Sequence, residues 1–232
     1  MPKSDGIAPA PAPIRDAATV ILLRTDGPEP SVLMGMRGAG AVFMPNKYVF
    51  PGGAVDPGDT GIGLAGDLSA TCRHRLGLDA AHGMGSALAT AAIRELWEET
   101  GQILGRAEGW GEAVPEGWRE FADAGFRPDA AALRFVFRAI TPPGRPRRFD
   151  ARFFLADAAA LATDPDDFSR ASDELSHLHW VNLREARELN LPFITEVVLG
   201  EIAARLAGPS VDPAGVPFFD NSGPEPIFRR LS

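Results

Sequence analysis

The stretch Arg-Glu-Leu-Trp-Glu-Glu-Thr-Gly at residues 94–101, preceded by Phe-Pro-Gly-Gly at residues 50–53, decides how this chain folds. At about 100° per residue, a helix places Glu98 about 60° from Glu95 on one side and Glu99 about 40° from it on the other. Like charges at i and i+4 destabilise a helix by roughly 0.2–0.5 kcal/mol, so one stripe of carboxylates predicts a compensating cation. Oxygen ligands of this kind suit Mg²⁺ or Mn²⁺.

These two segments resemble the Nudix box, whose pattern is Gly, five residues, Glu, seven residues, then Arg-Glu-apolar-x-Glu-Glu-x-Gly-apolar. Residues 94–101 match its second half, while Asp59 stands where the family usually has Glu and Gln102 where an apolar residue is usual. Asp59 precedes Arg94 by 35 positions (94 − 59), against roughly eight in the pattern, which implies an insertion inside the box. The resemblance to the Nudix hydrolase superfamily implies an α/β/α sandwich with a mixed sheet.

A looser resemblance concerns one branch of that family, the peroxisomal-type coenzyme A diphosphatases. It depends on Phe-Met-Pro at residues 43–45, on the long box insertion, and on Arg-Arg-Phe-Asp at residues 147–150 ahead of Phe153. The resemblance spans roughly residues 20–206 and suggests coenzyme A or an acyl derivative as substrate.

The composition excludes several classes of partner. A net charge of −8 and an isoelectric point near 5.0 argue against nonspecific binding to nucleic acid or to an anionic membrane, because both need a basic surface. A single cysteine, Cys72, cannot form an intramolecular disulfide, and no targeting segment or long apolar span is evident. We therefore expect a soluble protein of a reducing, cytoplasmic compartment, and relatives in the family suggest a homodimer.

The chain divides into three parts by composition. Residues 1–13, rich in Pro and Ala, predict a flexible tail, and residues 14–210 a Nudix domain with an insertion at about 61–85. That insertion suits either a tolerated surface loop or a lid over the substrate. Residues 211–232, rich in Pro and Gly, predict an extension along the surface.

Alternating and helical patterns predict the order of the elements within the domain. We expect a helix from Ser86 to Gly101, with Ser86 as its N-cap and Gly101 in the left-handed conformation at its end. Further helices are expected at 115–125, 128–138 and 193–206. Strands are expected at 19–23, 32–36, 48–50, 138–142, 152–156 and 179–181.

The family resemblance assigns the metal site and the catalytic groups. It implies Glu95, Glu98, Glu99 and the backbone of Gly53 as ligands of Mg²⁺ or Mn²⁺, in a reaction in which water attacks one phosphorus of a nucleoside diphosphate joined to another group. We expect Arg94 to orient Glu98 or a neighbour through an ion pair, with Asp59 serving the same purpose or merely ending a turn.

The general base is open between Glu98 and Glu174, which precedes a predicted strand at a position where many relatives carry an acid, although Glu174 could also be an ordinary loop carboxylate. We also expect the glutamate stripe to be exposed, so that Glu98→Gln or Glu99→Gln would leave folding intact.

Candidates for substrate contact lie on both sides of the box. Arg37 and Arg148 offer the bidentate guanidinium fork that phosphate accepts, and surface solubility is the alternative explanation for both. Gly52 would let substrate approach the backbone closely, and Phe50 precedes it. The substrate would be a small nucleotide pyrophosphate.

Other functions suit the same sequence less well. A catalytically inactive Nudix module that senses a nucleotide would commonly have lost box acids, and this chain keeps all three. Isomerase chemistry on this fold would need a catalytic cysteine, whereas Cys72 lies in the insertion. Cys72, His74 and His82 lack the fourth ligand and the spacing of a structural zinc site.

Overall fold

The computed structural model describes residues 12–81, 83–111, 113–208 and 215–232. The predicted tail at residues 1–13 and His82 therefore fall outside the described residues, apart from residues 12 and 13. The strands are β1 Ile14–Arg24, β2 Ser31–Arg37, β3 Tyr48–Val49, β4 Gly52–Ala54, β5 Gly105–Arg106, β6 Arg127–Pro128, β7 Arg134–Ile140, β8 Arg148–Asp157, β9 Leu175–Asn182, β10 Val216–Asp220 and β11 Ile227–Leu231. The helices are α1 Ala70–Gly77, α2 Met84–Thr100, α3 Arg119–Asp123 and α4 Phe193–Ala207.

A mixed sheet forms the middle layer of the molecule. Within the described residues, nine strands join it in the order β11-β10-β7-β8-β1-β2-β3, with β4 also paired to β1 and β9 also paired to β2, while β5 and β6 pair separately. β1 runs parallel to β8 and β10 parallel to β7, and the other pairs are antiparallel. Helix α2 packs in the hydrophobic cluster on one face and α4 in the cluster on the other. The predicted α/β/α sandwich with a mixed sheet is confirmed.

Strand β1 shows why the sheet is covered on both faces. Ala18, Val20 and Leu22 pack in the cluster with α2, whereas Ile21 and Leu23 pack in the cluster with α4. Successive side chains of a strand point to opposite faces, so an almost continuous apolar run requires a helix layer on each side.

The central strand also places the glycine pair. The first half of β1 pairs antiparallel with β4, which sets Ala18 opposite Gly53 and Thr19 opposite Gly52. A Cβ at Gly52 would lie 2.5 Å from the Ala18 carbonyl oxygen. The residue therefore must be glycine for β4 to approach β1 at this register.

Helix α2 carries the carboxylates across the sheet. It begins at Met84 after Gly83, which has a φ of 78°, so Ser86 lies inside the first turn and the predicted Ser86 cap is wrong. Alanines at 87, 89, 91 and 92 favour the helix and are buried against the sheet. Gly101 ends it in the left-handed conformation with a φ of 72°, and its N–H donates to the Trp97 carbonyl at 2.8 Å, as expected.

The box insertion belongs to the hydrophobic core. Ile62, Leu68, Cys72 and Leu76 are buried with α2 in one cluster, and the segment contains the short helix α1. Most other described residues of the segment are exposed or partly exposed, as expected of a surface excursion, while these four apolar side chains anchor it beside α2 and β7.

Two further expectations differ from the structure. The helix expected at residues 128–138 is absent, because β7 begins at Arg134. In this strand Phe135 packs on the α2 side of the sheet, and Val136 and Phe137 pack on the α4 side. The extension after residue 211 was expected along the surface. Its described part instead adds β10 and β11 to the sheet, with Val216, Phe218 and Leu231 buried in the α2-side cluster.

None of the helices in the described ranges has both the length and the apolar character needed to cross a membrane.

Candidate active site

Helix α2 presses its glutamates against strand β4. A Cβ at Gly53 would collide with the Glu95 carboxylate, so glycine is what allows this close approach. One turn further on, the Gly52 N–H donates to Glu99 Oε2 at 2.8 Å. Both glycines of the pair therefore lie directly beneath the carboxylates of the helix.

Arg94 connects the two halves of the box. Its Nε donates to Asp59 Oδ1 and its Nη2 to Asp59 Oδ2, each at 3.0 Å, in a bidentate pair buried from solvent. Its Nη1 donates to Glu95 at 2.8 Å and to Glu98 at 3.2 Å, and Nη2 also reaches the Ala54 carbonyl at 3.0 Å. The expected ion pair to Glu98 is present. Although Asp is shorter than the usual Glu, Asp59 reaches the guanidinium because it lies in the 3-10 turn Pro57–Gly61 beside α2.

Burial alone would lower the pKa of the Arg94 guanidinium, but the hydrogen bonds and negative charges of Asp59 and Glu95 outweigh it and raise the pKa above its ordinary value. Arg94 is therefore charged at every working pH, and it holds the glutamates without exchanging protons with them.

The glutamate stripe is turned inward more than the sequence suggested. The side chain of Glu98 is 47% exposed and that of Glu95 14%, whereas Glu99 as a residue is 2% exposed. The expectation of an exposed stripe is therefore wrong for Glu95 and Glu99, because β4, β9 and the 3-10 turn Pro57–Gly61 contact α2.

This burial changes the acidity of all three glutamates. Desolvation raises the pKa of Glu95 to about 7, against the opposing charge of Arg94. It raises the pKa of Glu99 to about 8, opposed by the Gly52 hydrogen bond and reinforced by the charges of Glu95 and Glu174. The pKa of Glu98 is also raised by burial. The main reason that these carboxylates resist ionisation is therefore their removal from water, and neighbouring negative charges add to it.

Glu174 and Arg37 lie near the same cluster. The negative charge of Glu174 contributes to the raised pKa of both Glu95 and Glu99, while the positive charge of Arg37 opposes it at Glu99. Arg37 Nη2 lies 3.4 Å from Glu174 Oε1, and its Nε is buried without a hydrogen-bond partner. The structure thus brings both predicted residues to the edge of the cluster.

Arg148 and Phe50 are placed differently from the prediction. Arg148 is buried, and its guanidinium donates to the backbone carbonyls of Thr141 at 3.0 Å and Asn221 at 2.9 Å. Phe50 is 4% exposed and packs in the hydrophobic cluster beneath α4. Arg148 thus holds together the ends of strands and Phe50 fills the core, so the predicted substrate contacts of both are corrected to structural roles.

The donor set fits a hard divalent cation in chemistry. Glu95, Glu98 and Glu99 offer carboxylate oxygens beside the backbone of Gly53, the type of ligand that Mg²⁺ and Mn²⁺ take. As the side chains lie, no three acidic, histidine or cysteine side chains of the described residues converge on one point. The reason is that Glu95 and Glu98 are turned toward Arg94 and Glu99 toward the Gly52 N–H.

Gln102, which departs from the box pattern, has a defined structural use. It is fully buried, and its amide nitrogen donates to the carbonyls of Asp164 at 3.1 Å and Asp167 at 2.9 Å, while its oxygen accepts from Thr163 at 2.7 Å. It therefore anchors the loop of residues 163–173 at the end of α2. The sequence shows that Gln102 departs from the box pattern but does not reveal this loop. The available signal was an amide at a position that is usually apolar.

Comparison with known proteins adds to this geometry. No protein-family model matches the chain. The chain is similar to Putative nudix hydrolase 7 of Caenorhabditis elegans, with 28% identity over 183 residues, covering 74% of this chain and 52% of that protein. The chain thus spans about half the length of this curated relative. A crystal structure of a NUDIX hydrolase from Alicyclobacillus acidocaldarius superposes with a TM-score of 0.65 at 28% identity, covering 87% of this chain and 99% of that one.

These likenesses support the Nudix hydrolase superfamily. Both proteins are named as Nudix hydrolases, and neither name mentions coenzyme A. The residues that resemble the Nudix box are Gly53, Asp59 and residues 94–101, with the insertion between the two halves.

Proposed function

We propose that this chain is a Mg²⁺- or Mn²⁺-dependent hydrolase that cleaves the pyrophosphate bond of a nucleoside diphosphate joined to another moiety. The observation that carries the proposal is that Glu95 packs on Gly53 and Glu99 on Gly52, while Arg94, which is paired with Asp59, holds Glu95 and Glu98. The likeness to proteins named as Nudix hydrolases supports the same reaction class.

In this proposal Glu95, Glu98, Glu99 and the Gly53 backbone hold the cation. When bound, the cation supplies electrophilic stabilisation of the charge that develops on the phosphate oxygens. Burial raises the pKa of Glu95 and Glu99, and a bound cation would favour their ionised forms.

The remaining residues bind, orient and move protons. Arg94 fixes the directions of Glu95 and Glu98 through its two hydrogen bonds. Glu98 and Glu174 are the two candidates for the base that takes a proton from the attacking water, and both are exposed enough to meet it. Arg37, whose Nη2 lies beside Glu174 at the edge of the cluster, would donate to a substrate phosphate oxygen.

Coenzyme A or an acyl-coenzyme A is the first substrate to test, because the box insertion and residues 147–150 resemble the coenzyme A diphosphatase branch. Homodimerisation stays a prediction.

The proposal is tested by a Mg²⁺-dependent hydrolysis screen with mass-spectrometric detection of products. The panel comprises coenzyme A, acyl-coenzyme A, dephospho-coenzyme A, NADH, NADPH, ADP-ribose, diadenosine polyphosphates and oxidised deoxynucleoside triphosphates. We expect turnover of at least one pyrophosphate, abolished by a chelator, and 3′,5′-ADP with a phosphopantetheine product if coenzyme A is cut. Binding of a panel member without any turnover would contradict the proposal and favour a nucleotide sensor.

A further inference from the structure

A groove lies beside Trp97 and Glu98 of α2. Its volume is about 540 Å³, which is within the size range of small-molecule sites. Three segments line it. The residues are Trp97 and Glu98 of α2, then Glu116, Gly117 and Glu120, and finally Arg170 and Ser172. A larger groove of about 830 Å³ around Trp110 is not lined by the glutamates of α2, and its lining is residues 107–111, Val114, Ala122, Asp123 and Gly125. The smaller groove is therefore the one continuous with the proposed reaction site.

One wall of the groove is held by stacked aromatic rings. Trp97 of α2 meets Phe121 of α3 edge to face at 5.8 Å between ring centres, and Phe121 meets Trp118 at 5.2 Å. All three rings are buried. Glu116 lies on the 3-10 turn Glu116–Trp118 and Glu120 lies on α3. The ring contacts therefore hold both glutamates at a fixed distance from α2.

The opposite wall is the loop of residues 163–173. Gln102 binds its first half through three hydrogen bonds. Its second half packs on the end of the box, because a Cβ at Gly101 would lie 2.8 Å from Arg170 Cβ. Arg170 is exposed, and its guanidinium carbon lies 5.8 Å from the centre of the Trp97 ring. Both walls are therefore formed before any ligand arrives.

The charge of the groove restricts what it can hold. The described lining residues carry three carboxylates, from Glu98, Glu116 and Glu120, and one guanidinium, from Arg170. Glu116 and Glu120 are exposed, and because both carry negative charge they cannot pair with each other. An anionic group placed between them is repelled, whereas hydroxyl or amino donors are accepted by the carboxylates.

We propose that this groove binds the nucleoside end of the substrate, with Arg170 stacking its guanidinium plane on the base and Glu116 and Glu120 accepting hydrogen bonds from ribose hydroxyls. A planar base suits the exposed Arg170 plane, and the groove opens directly onto Glu98. Because the carboxylates of the groove repel an anionic group, the enzyme prefers nucleosides whose ribose carries no additional phosphate. This inference rests on the proposed function.

The test uses two substrate pairs that differ by one ribose phosphate, dephospho-coenzyme A with coenzyme A, and NADH with NADPH. For the wild type we expect kcat/KM to be about tenfold higher for the member without the extra phosphate. In the double variant Glu116→Gln/Glu120→Gln that ratio should fall toward unity. Arg170→Ala should raise KM for both members of a pair with little change in kcat.

The matched control is Glu185→Gln/Glu188→Gln, which neutralises two exposed carboxylates on another 3-10 turn and should keep the wild-type ratio. Hydrolysis with equal kcat/KM within each pair, or a ratio that the Glu116 and Glu120 substitutions leave unchanged, overturns the inference while the proposed function stands. Absence of hydrolysis for all four compounds overturns this inference, and the proposed function falls with it only if no other member of the wider panel is hydrolysed either.

Discussion

Asp59 determines the geometry of the glutamates through Arg94. It is 2% exposed, it accepts two hydrogen bonds from the guanidinium, and it also accepts from the Asp56 N–H at 2.7 Å. Because a buried guanidinium without its carboxylate is costly, the pair matters more to stability than an ion pair on the surface does. The same pair sets where Arg94 Nη1 points, and so where Glu95 and Glu98 lie.

Substitution Asp59→Asn should therefore lower both stability and activity. We expect a loss of about 3 kcal/mol in the free energy of unfolding, or a Tm lower by about 10 °C, measured by denaturant titration and calorimetry. The control is Asp166→Asn, since Asp166 pairs with Arg24 but its side chain is 67% exposed. An equal loss of unfolding free energy in the two variants would show that the buried Asp59–Arg94 pair stabilises the protein no more than an exposed ion pair does.

Glu99 links stability to pH. Its pKa is about 8 in the fold and 4.5 as the reference value for an unperturbed glutamate. Since the folded pKa is the higher one, the protonated group stabilises the fold at low pH, and this stabilisation is lost as the pH rises from about 4.5 through about 8. Metal-free protein should become less stable over this window.

Chemical denaturation at several pH values in the presence of a chelator checks this expectation. Glu99→Gln, which keeps the size of the side chain but cannot ionise, should show a smaller fall with rising pH than the wild type. Added Mg²⁺ should restore stability chiefly at the upper end of the window, because the ion binds the ionised carboxylate. Parallel pH profiles of the wild type and Glu99→Gln would rule out Glu99 as the titrating group.

At the scale of elements, helix α2 and the loop it anchors form the site together. The end of α2 presents Gly101 and Gln102 to residues 163–173, and Trp180 Nε1 also donates to the Pro165 carbonyl at 3.0 Å. The loop is fixed by side-chain contacts and not by sheet pairing. Its order should therefore depend on Gln102 in particular.

Replacing Gln102 with the apolar residue usual in the box, as in Gln102→Leu, leaves the carbonyls of Asp164 and Asp167 without this donor. Amide hydrogen exchange should become faster across residues 163–173, with α4 as the internal control whose exchange stays unchanged. The KM of any substrate found in the screen should rise several-fold with a smaller effect on kcat. Unchanged exchange in the loop would show that other contacts suffice to hold it.

The box helix could be predicted from sequence because its signals are local. The left-handed Gly101 and the shared stripe of glutamates follow from helix geometry alone. The roles of Arg148, Phe50 and residues 61–85 could not be read in this way, because burial depends on what packs over a segment from elsewhere in the chain. An arginine suited to phosphate is equally suited to backbone carbonyls, and only the fold showed that Arg148 meets Thr141 and Asn221.

At the scale of the whole molecule, the last strands complete the sheet. β10 lies parallel to β7, and the Arg138 guanidinium lies 4.3 Å from the centre of the Phe218 ring. Arg138 also pairs with Asp150 at 2.7 Å and donates to the carbonyls of Leu78 and Asp79 after α1. The C-terminal strands, the insertion and the centre of the sheet therefore stabilise one another. Proline and glycine in this stretch hid its short strands from sequence reasoning.

Phe218→Ala should accordingly destabilise the protein by about 3–5 kcal/mol, as expected for a buried aromatic side chain. Phe228→Ala is the matched control on the neighbouring strand, where the residue is 59% exposed, against 1% for Phe218. We expect the control to change stability by no more than about 0.5 kcal/mol. Similar small effects of both substitutions, measured by urea denaturation, would show that β10 contributes little to the core.

The central claim is that the glutamates of α2 form a metal-dependent site for pyrophosphate cleavage. The most direct measurement is the Mg²⁺-dependent turnover of Glu98→Gln beside the wild type, on a substrate that the wild type hydrolyses, with Glu185→Gln as the exposed control. Because the Glu98 side chain is 47% exposed, the variant should fold normally. We predict a rate lower by about 100-fold or more for Glu98→Gln and an unchanged rate for the control. Near wild-type turnover by Glu98→Gln with Mg²⁺ would contradict the assigned site.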